Sequence, residues 1–166
     1  KQLHLKKKPF LVMLAGSEFG TRLAVHINKI ASAFPHEAFI IFGADLHLKF
    51  AKNVKYIKYT SDFFSYLKVA KGVITLAGQS TLSEALVYKK PILCFPIQDH
   101  IEQVLNAYAL EKSILVSHDS SLKGVERAMR EFFQNLPQYQ KKIERFGFRA
   151  DGAEEFVRYL ELSLEE

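Results

Sequence analysis

Two polar stretches, each placed directly behind an apolar run, hold the residues of this chain that could do chemistry. Gly72-Val73-Ile74-Thr75-Leu76 is followed by Ala77-Gly78-Gln79-Ser80-Thr81-Leu82-Ser83-Glu84, and Pro91-Ile92-Leu93-Cys94-Phe95 by Pro96-Ile97-Gln98-Asp99-His100-Ile101-Glu102-Gln103. A glycine turn that opens a helix near Ser80 leaves backbone N–H groups unpaired at the positive end of the helix dipole, and Gly78 lets a ligand come close. A diphosphate suits that place. Glu84 lies one turn further in, too far along for phosphates, where a carboxylate can accept two hydrogen bonds from a ribose diol. The pair points to a nucleotide. The second stretch carries enough polar side chains, Asp99, Glu102 and Gln103 among them, to hold several hydroxyls, as a sugar requires.

Each of these residues also has a plainer use. Ser80 or Thr81 can cap a helix, and Thr81-x-x-Glu84 is a capping box that satisfies backbone donors in any helix. Glu102 complements the dipole of a helix first turn. Asp99 and His100 are neighbours in a loop with no matched serine or cysteine nucleophile, so a catalytic dyad is not supported. His118-Asp119 reads as the loop and cap before the next helix. His4, His26, His36 and His47 lack a metal-ligand spacing and no Asp-x-Asp pair is present, so neither a metal nor a cofactor is expected.

The elements that must position these residues alternate along the chain. Pro9 starts an apolar run, Phe10 to Ala15, which Gly16-Ser17-Glu18-Phe19-Gly20 breaks before a helix from about Thr21 to Phe34 with Leu23, Ile27, Ile30 and Phe34 on one face. Further strands are expected at 38–42, 54–57, 72–76, 91–95 and 113–116. The helices between them are expected to be capped by Ser61 or Asp62, to begin near Ser80, and to end at Lys112. Another helix runs from about Ser121 to Phe133. Runs rich in branched residues and apolar throughout are strands buried on both faces, and their alternation with helices predicts a doubly wound α/β fold, a Rossmann-like parallel sheet of about six strands with helices on both faces. In an open parallel sheet the Gly16–Gly20 loop shares the carboxyl edge with the Gly78 turn, so Gly16, Ser17 and Gly20 can face the same ligand. Pro137 is expected to break the pattern. Asp151-Gly152-Ala153 opens a last helix whose stripe of Phe156, Val157, Leu160 and Leu164 is expected to pack across the sheet.

The order Ala77-Gly78-Gln79-Ser80-Thr81-Leu82-Ser83-Glu84-Ala85, Lys90-Pro91, Pro96, Glu102-Gln103, Asn106-Ala107 resembles the carboxyl-terminal, donor-binding half of GT-B glycosyltransferases. It is most similar to the family 28 and UDP-glycosyltransferase branch that holds the peptidoglycan N-acetylglucosaminyltransferase. The resemblance is specific over residues 72–107. It implies a diphosphate held by Gly16, Ser17, Gly20, Gly78, Gln79, Ser80 and Thr81, a ribose held by Glu84, and a base held at Tyr59-Thr60 largely through backbone. Asp99, Glu102 and Gln103 would hold the donor sugar. Where relatives often carry Gly-Gly or Ser-Gly, this chain has Ala77-Gly78.

Composition sets the outer bounds. The chain has 166 residues, 48% of them hydrophobic, with a net charge of +5 and a pI near 9.2. That suffices for one core and excludes a disordered polymer. One cysteine, Cys94, in a buried strand, excludes a disulfide framework and favours a reducing compartment. No apolar run reaches the roughly 20 residues of a membrane helix. The charge alone admits nucleic acid, but the interleaved aromatic and basic pattern of such modules is missing, so no nucleic-acid partner is expected. Lys6-Lys7-Lys8 can meet an anionic membrane surface and reads more simply as a solvated linker.

The resemblance therefore leads to an expectation of residues 1–8 as a basic linker from an upstream domain and 9–166 as a nucleotide-sugar-binding domain of a cytoplasmic enzyme, membrane-associated at most through its remainder. The implied activity is inverting transfer of a sugar from a nucleotide-sugar, foremost a UDP-sugar. The partners are an amino-terminal acceptor-binding domain with the general base, and a membrane-surface or lipid acceptor. Two alternatives stay open: half of a nucleotide-sugar 2-epimerase, and a donor-binding subunit that pairs with a separate acceptor-binding chain.

Overall fold

The computed structural model describes residues 5, 7–14, 17–43, 46–149 and 151–164. Six strands, β1 (Phe10–Met13), β2 (Phe39–Phe42), β3 (Val54–Ile57), β4 (Gly72–Thr75), β5 (Ile92–Cys94) and β6 (Leu115–Val116), form one parallel sheet in the order β3-β2-β1-β4-β5-β6. The helices are α1 (Glu18–Ala31), α2 (Phe63–Val69), α3 (Gln79–Val87), α4 (Ile101–Leu110), α5 (Leu122–Gln134), α6 (Leu136–Phe146) and α7 (Gly152–Leu164). Alternate residues of each central strand face opposite layers. Phe10 and Val12 join Leu23, Ile27, Val125, Met129 and Phe132 of α1 and α5 on one side. Leu11 and Val73 join Leu67, Leu82, Ala85, Leu86, Ala107 and Leu110 of α2, α3 and α4 on the other.

The central pairing is β1 with β4, Phe10 opposite Gly72 through Met13 opposite Thr75. Gly72 is what lets an aromatic layer lie over it. A Cβ there would stand 3.0 Å from the Pro91 carbonyl and 3.2 Å from the Phe10 ring. Phe10 stacks on Phe133 at 4.4 Å between centroids and meets Phe39 and Phe132 at about 6 Å, so helix α5 is keyed to the sheet by rings. Cys94 is fully buried on the other face of β5, and burial pushes its thiol up to about 12.

Several boundaries and one whole element differ from the sequence expectation. The run Phe10–Ala15 pairs only as far as Met13, and α1 starts at Glu18 and ends at Ala31, three residues early at each end. Ala15, Gly16 and most of the opening linker, residues 1–4 and 6, lie outside the described residues. Asp62 stands at the N-cap of α2 without a side-chain cap bond. Pro137 does not end the helical pattern: it occupies the first turn of α6, where its missing N–H would have no partner in any case, and Tyr139 and Ile143 are buried one turn apart. The last helix does not pack across the sheet. Phe156, Val157, Tyr159, Leu160 and Leu162 are exposed, and the side chain of Leu164 lies outside the described residues. The ion pairs near this end, Arg149 with Asp151 and with Glu155, are local, with Arg149 and Glu155 exposed and Asp151 half-buried.

Three outcomes follow. Removing residues 151–166 should move the melting temperature of this chain by no more than about 2 °C, since exposed groups contribute within about 0.5 kcal/mol. Phe132→Ala should lower stability by about 3–5 kcal/mol in a denaturant titration. Cys94 should resist a thiol-specific chromogenic reagent at pH 8 until the protein is unfolded.

Candidate functional site at the carboxyl edge of the sheet

The strand order reverses between β1 and β4, because β1 continues toward β2 and β3 while β4 continues toward β5 and β6. In an open parallel sheet this switch point leaves a crevice outside the carboxyl ends of the strands. Met13, Thr75 and Cys94 are in register across β1, β4 and β5, so the segments after them leave the same edge side by side. A cavity of about 320 Å³ lined by Pro9, Phe39, Asn53 and Val54 opens at the opposite edge and shares no residue with this shelf.

The turn after β4 begins helix α3 one residue earlier than the sequence suggests. Gly78 is the N-cap, in extended backbone (φ −66°, ψ 135°), and no side-chain cap hydrogen bond forms. Ser80 and Thr81 stand in the first turn, so the expected capping by their hydroxyls and the Thr81–Glu84 box are not formed. This end of α3 therefore presents backbone donors with no side chain folded over them. Leu82 N–H bonds to Gly78 O at 3.1 Å and starts the helical ladder. Before Gly78, Ala77 adopts φ +71° and is fully buried. That left-handed backbone costs an L-residue about 1–2 kcal/mol. Glu84 is half-buried one turn along, and burial raises its carboxyl above the ordinary 4.5.

At the neighbouring strand exit, Ser17 caps α1, its Oγ accepting the Gly20 N–H at 3.0 Å. The Gly20 amide is thus engaged within its own turn, and Gly20 itself is buried inside the helix rather than in a loop. Gly16 lies outside the described residues. Tyr59 and Thr60 follow β3, which two strands separate from β4, about 14 Å away at ordinary strand spacing. Tyr59 is 85% exposed, and Thr60 Oγ1 accepts the Asp62 N–H at 3.1 Å.

The loop after β5 runs from Phe95 to His100. Asp99 and Glu102 are exposed at its end and in the first turn of α4. Gln103 is only 8% exposed, and its side-chain oxygen accepts the Ile97 N–H at 3.1 Å, so it braces the loop from beneath. Gln98 Nε2 reaches the His118 carbonyl at 3.4 Å. Sequence reasoning gave Asn106 no task. Its Nδ2 donates to the Ala77 carbonyl at 3.1 Å and lies 3.5 Å from Glu102 Oε1, which joins the two stretches. Only its fixed spacing after Glu102-Gln103 singles it out in the sequence.

Residues 10–137 match the family model described as Glycosyl transferase family 1. The chain belongs to this family. Among curated proteins, it is 30% identical over 149 residues to an "Uncharacterized glycosyltransferase" of Methanosarcina mazei, covering 84% of this chain and 39% of that protein. It is 26% identical over 154 residues, 85% of this chain and 43% of the relative, to the "UDP-N-acetylglucosamine--N-acetylmuramyl-(pentapeptide) pyrophosphoryl-undecaprenol N-acetylglucosamine transferase" of Geobacillus kaustophilus. The chain thus spans about two fifths of the length of the curated relatives it matches. Two solved structures share the fold. The "Spinosyn Forosaminyltransferase SpnP" superimposes with a TM-score of 0.67 at 17% identity, over 96% of this chain and 44% of that one. Os79 from O. sativa in complex with UDP gives 0.66 at 15%, over 84% and 36%. The GT-B architecture of this glycosyltransferase-family chain, a six-stranded parallel sheet with helices on both faces, is therefore the one the sequence resemblance implies.

Burial raises the folded pKa of Glu84 above its unfolded value, so its ionised form costs stability above the folded pKa and the cost fades as pH falls through it. Glu84→Gln should accordingly be at least as stable as the native chain at pH 7. Paired denaturant titrations at pH 7 and pH 4 should find the gap between them closing at the lower pH.

Proposed function

We propose that this chain is the donor-binding half of an inverting glycosyltransferase that takes its sugar from a nucleotide-sugar, foremost a UDP-sugar. The observation that carries the reading is the start of α3: a glycine cap with no side chain over it, at the switch point beside β1, with a half-buried carboxylate one turn further on. The diphosphate rests on the first-turn amides and on the Gln79, Ser80 and Thr81 side chains, with Gly78 leaving room and the Ser17 end of α1 turned toward it from the neighbouring exit, while buried Gly20 serves only to give Ser17 the amide it caps. Gly16 belongs to the same set. Glu84 accepts both ribose hydroxyls. Tyr59 and Thr60 flank the base, Asp99 and Glu102 meet the donor sugar, and Gln103 holds the loop that presents them.

In transfer, an acceptor oxygen attacks the anomeric carbon from the face opposite the diphosphate and loses its proton to a general base. The bond between that carbon and the diphosphate oxygen breaks, and its electron pair stays on the leaving group. Fixed amides and the α3 dipole stabilise the negative charge that grows there. The general base and the acceptor pocket belong to a second, amino-terminal half that closes over this edge, whether on the same chain or on a partner. A lipid-linked acceptor at a membrane surface is the class that the name of the Geobacillus relative supports. The site belongs to the cytoplasmic side of such a surface.

UDP at a hundred times its dissociation constant should stabilise the native chain by about 2.7 kcal/mol in a thermal melt, and Glu84→Ala should lose most of that shift. Glu84→Gln should weaken UDP about 10- to 100-fold, the worth of a hydrogen bond to a charged group. UDP affinity should fall as pH drops through the raised pKa of Glu84, because the protonated carboxyl accepts less well. A chain that binds no nucleotide diphosphate, alone or with its second half, would sink the reading.

A further inference from the structure

We propose that Asn106 is the positioning residue of the diphosphate turn, a role that rests on the donor-binding reading above and adds to it a residue on another helix. The need for such a residue comes from Ala77. Its backbone sits at φ +71°, a region that an alanine enters only when its surroundings hold it there. Ala77 is fully buried and directly precedes Gly78, the cap of α3, so its conformation sets the direction in which the first turn of α3 leaves the sheet. A relaxed Ala77 would re-aim every amide of that turn.

Asn106 Nδ2 donates to the Ala77 carbonyl at 3.1 Å from the middle of α4. That carbonyl belongs to the same peptide plane as the Gly78 N–H, and across a trans peptide the two point in opposite directions. Drawing the oxygen toward α4 therefore turns the Gly78 N–H away from α4. The same nitrogen lies 3.5 Å from Glu102 Oε1, so one amide also restrains the carboxylate assigned to the donor sugar. Asn106 touches no ligand in this account. It acts through Ala77 and Glu102, and it makes the diphosphate and sugar ends of the shelf move together.

The test is a cycle of Asn106→Ala, Ala77→Gly and the double variant, with UDP affinity read by titration calorimetry and folding by circular dichroism. Glycine occupies a positive φ without strain, so it frees the turn from its need for the amide. Asn106→Ala should lower UDP affinity tenfold or more, and Ala77→Gly should leave it within about threefold. The double variant should stay within about threefold of Ala77→Gly. Equal losses from Asn106→Ala in both backgrounds, or no loss in the native background, would overturn the positioning role. Should Asn106→Ala alone fail to fold, the comparison of the double variant with Ala77→Gly decides it, and a tenfold drop there is the overturning result. Failure to bind UDP or any other nucleotide diphosphate, alone and with the second half, overturns the donor reading itself, and this role with it.

Discussion

Everything at the carboxyl edge depends on β4 lying between β1 and β5. The pairing of Phe10 with Gly72 is a close point of that arrangement, since a Cβ at residue 72 would crowd the Pro91 carbonyl and the Phe10 ring together. With the ring in place, Phe133 and Phe132 of α5 close one layer, while Leu11 and Val73 supply the other. The sheet is then buried on both sides, and its hydrogen-bonded register is held between two apolar layers. Three strand exits come out level as a result, and the polar stretches behind them share one shelf.

The alternation of strands and helices was legible because every central strand is an apolar run, which marks burial on both faces. Strand ends were less so: Leu14, Leu76 and Phe95 continue the apolar pattern past the ends of β1, β4 and β5, because the exits of a parallel sheet are buried by the turns that follow. Helix α6 was hidden by Pro137, although Tyr139 and Ile143 keep the spacing that betrays its buried face. Helix α7 carries the opposite lesson. An amphipathic stripe says that one face is apolar, and it does not say which surface that face meets.

The site divides in the same manner. That Gly78, Ser80, Thr81 and Glu84 would gather at one helix start was readable because a glycine at a strand exit, small hydroxyls and an acid one turn on are a local pattern. The capping box that the same letters spell is absent, since Gly78 takes the cap and moves the helix start forward by one residue. The positive φ of Ala77 was unreadable, alanine being a residue that avoids it. Gln103 and Asn106 looked alike as polar members of one helix. Burial and partners separate them, one bracing the Ile97 amide and the other reaching across to β4's exit.

The loop between Ile97 and Gln103 contributes a further property. Gln98, Asp99, His100 and Glu102 are all exposed and none belongs to either core cluster, whereas the turn at Ala77 is packed into one of them. On the donor reading, the residues that choose the sugar can be exchanged with little penalty in folding, while Ala77, buried at a positive φ, admits little besides glycine. Such a scaffold would let sugar preference drift quickly among descendants and keep the nucleotide fixed, so that evolvability is confined by packing to one end of the ligand.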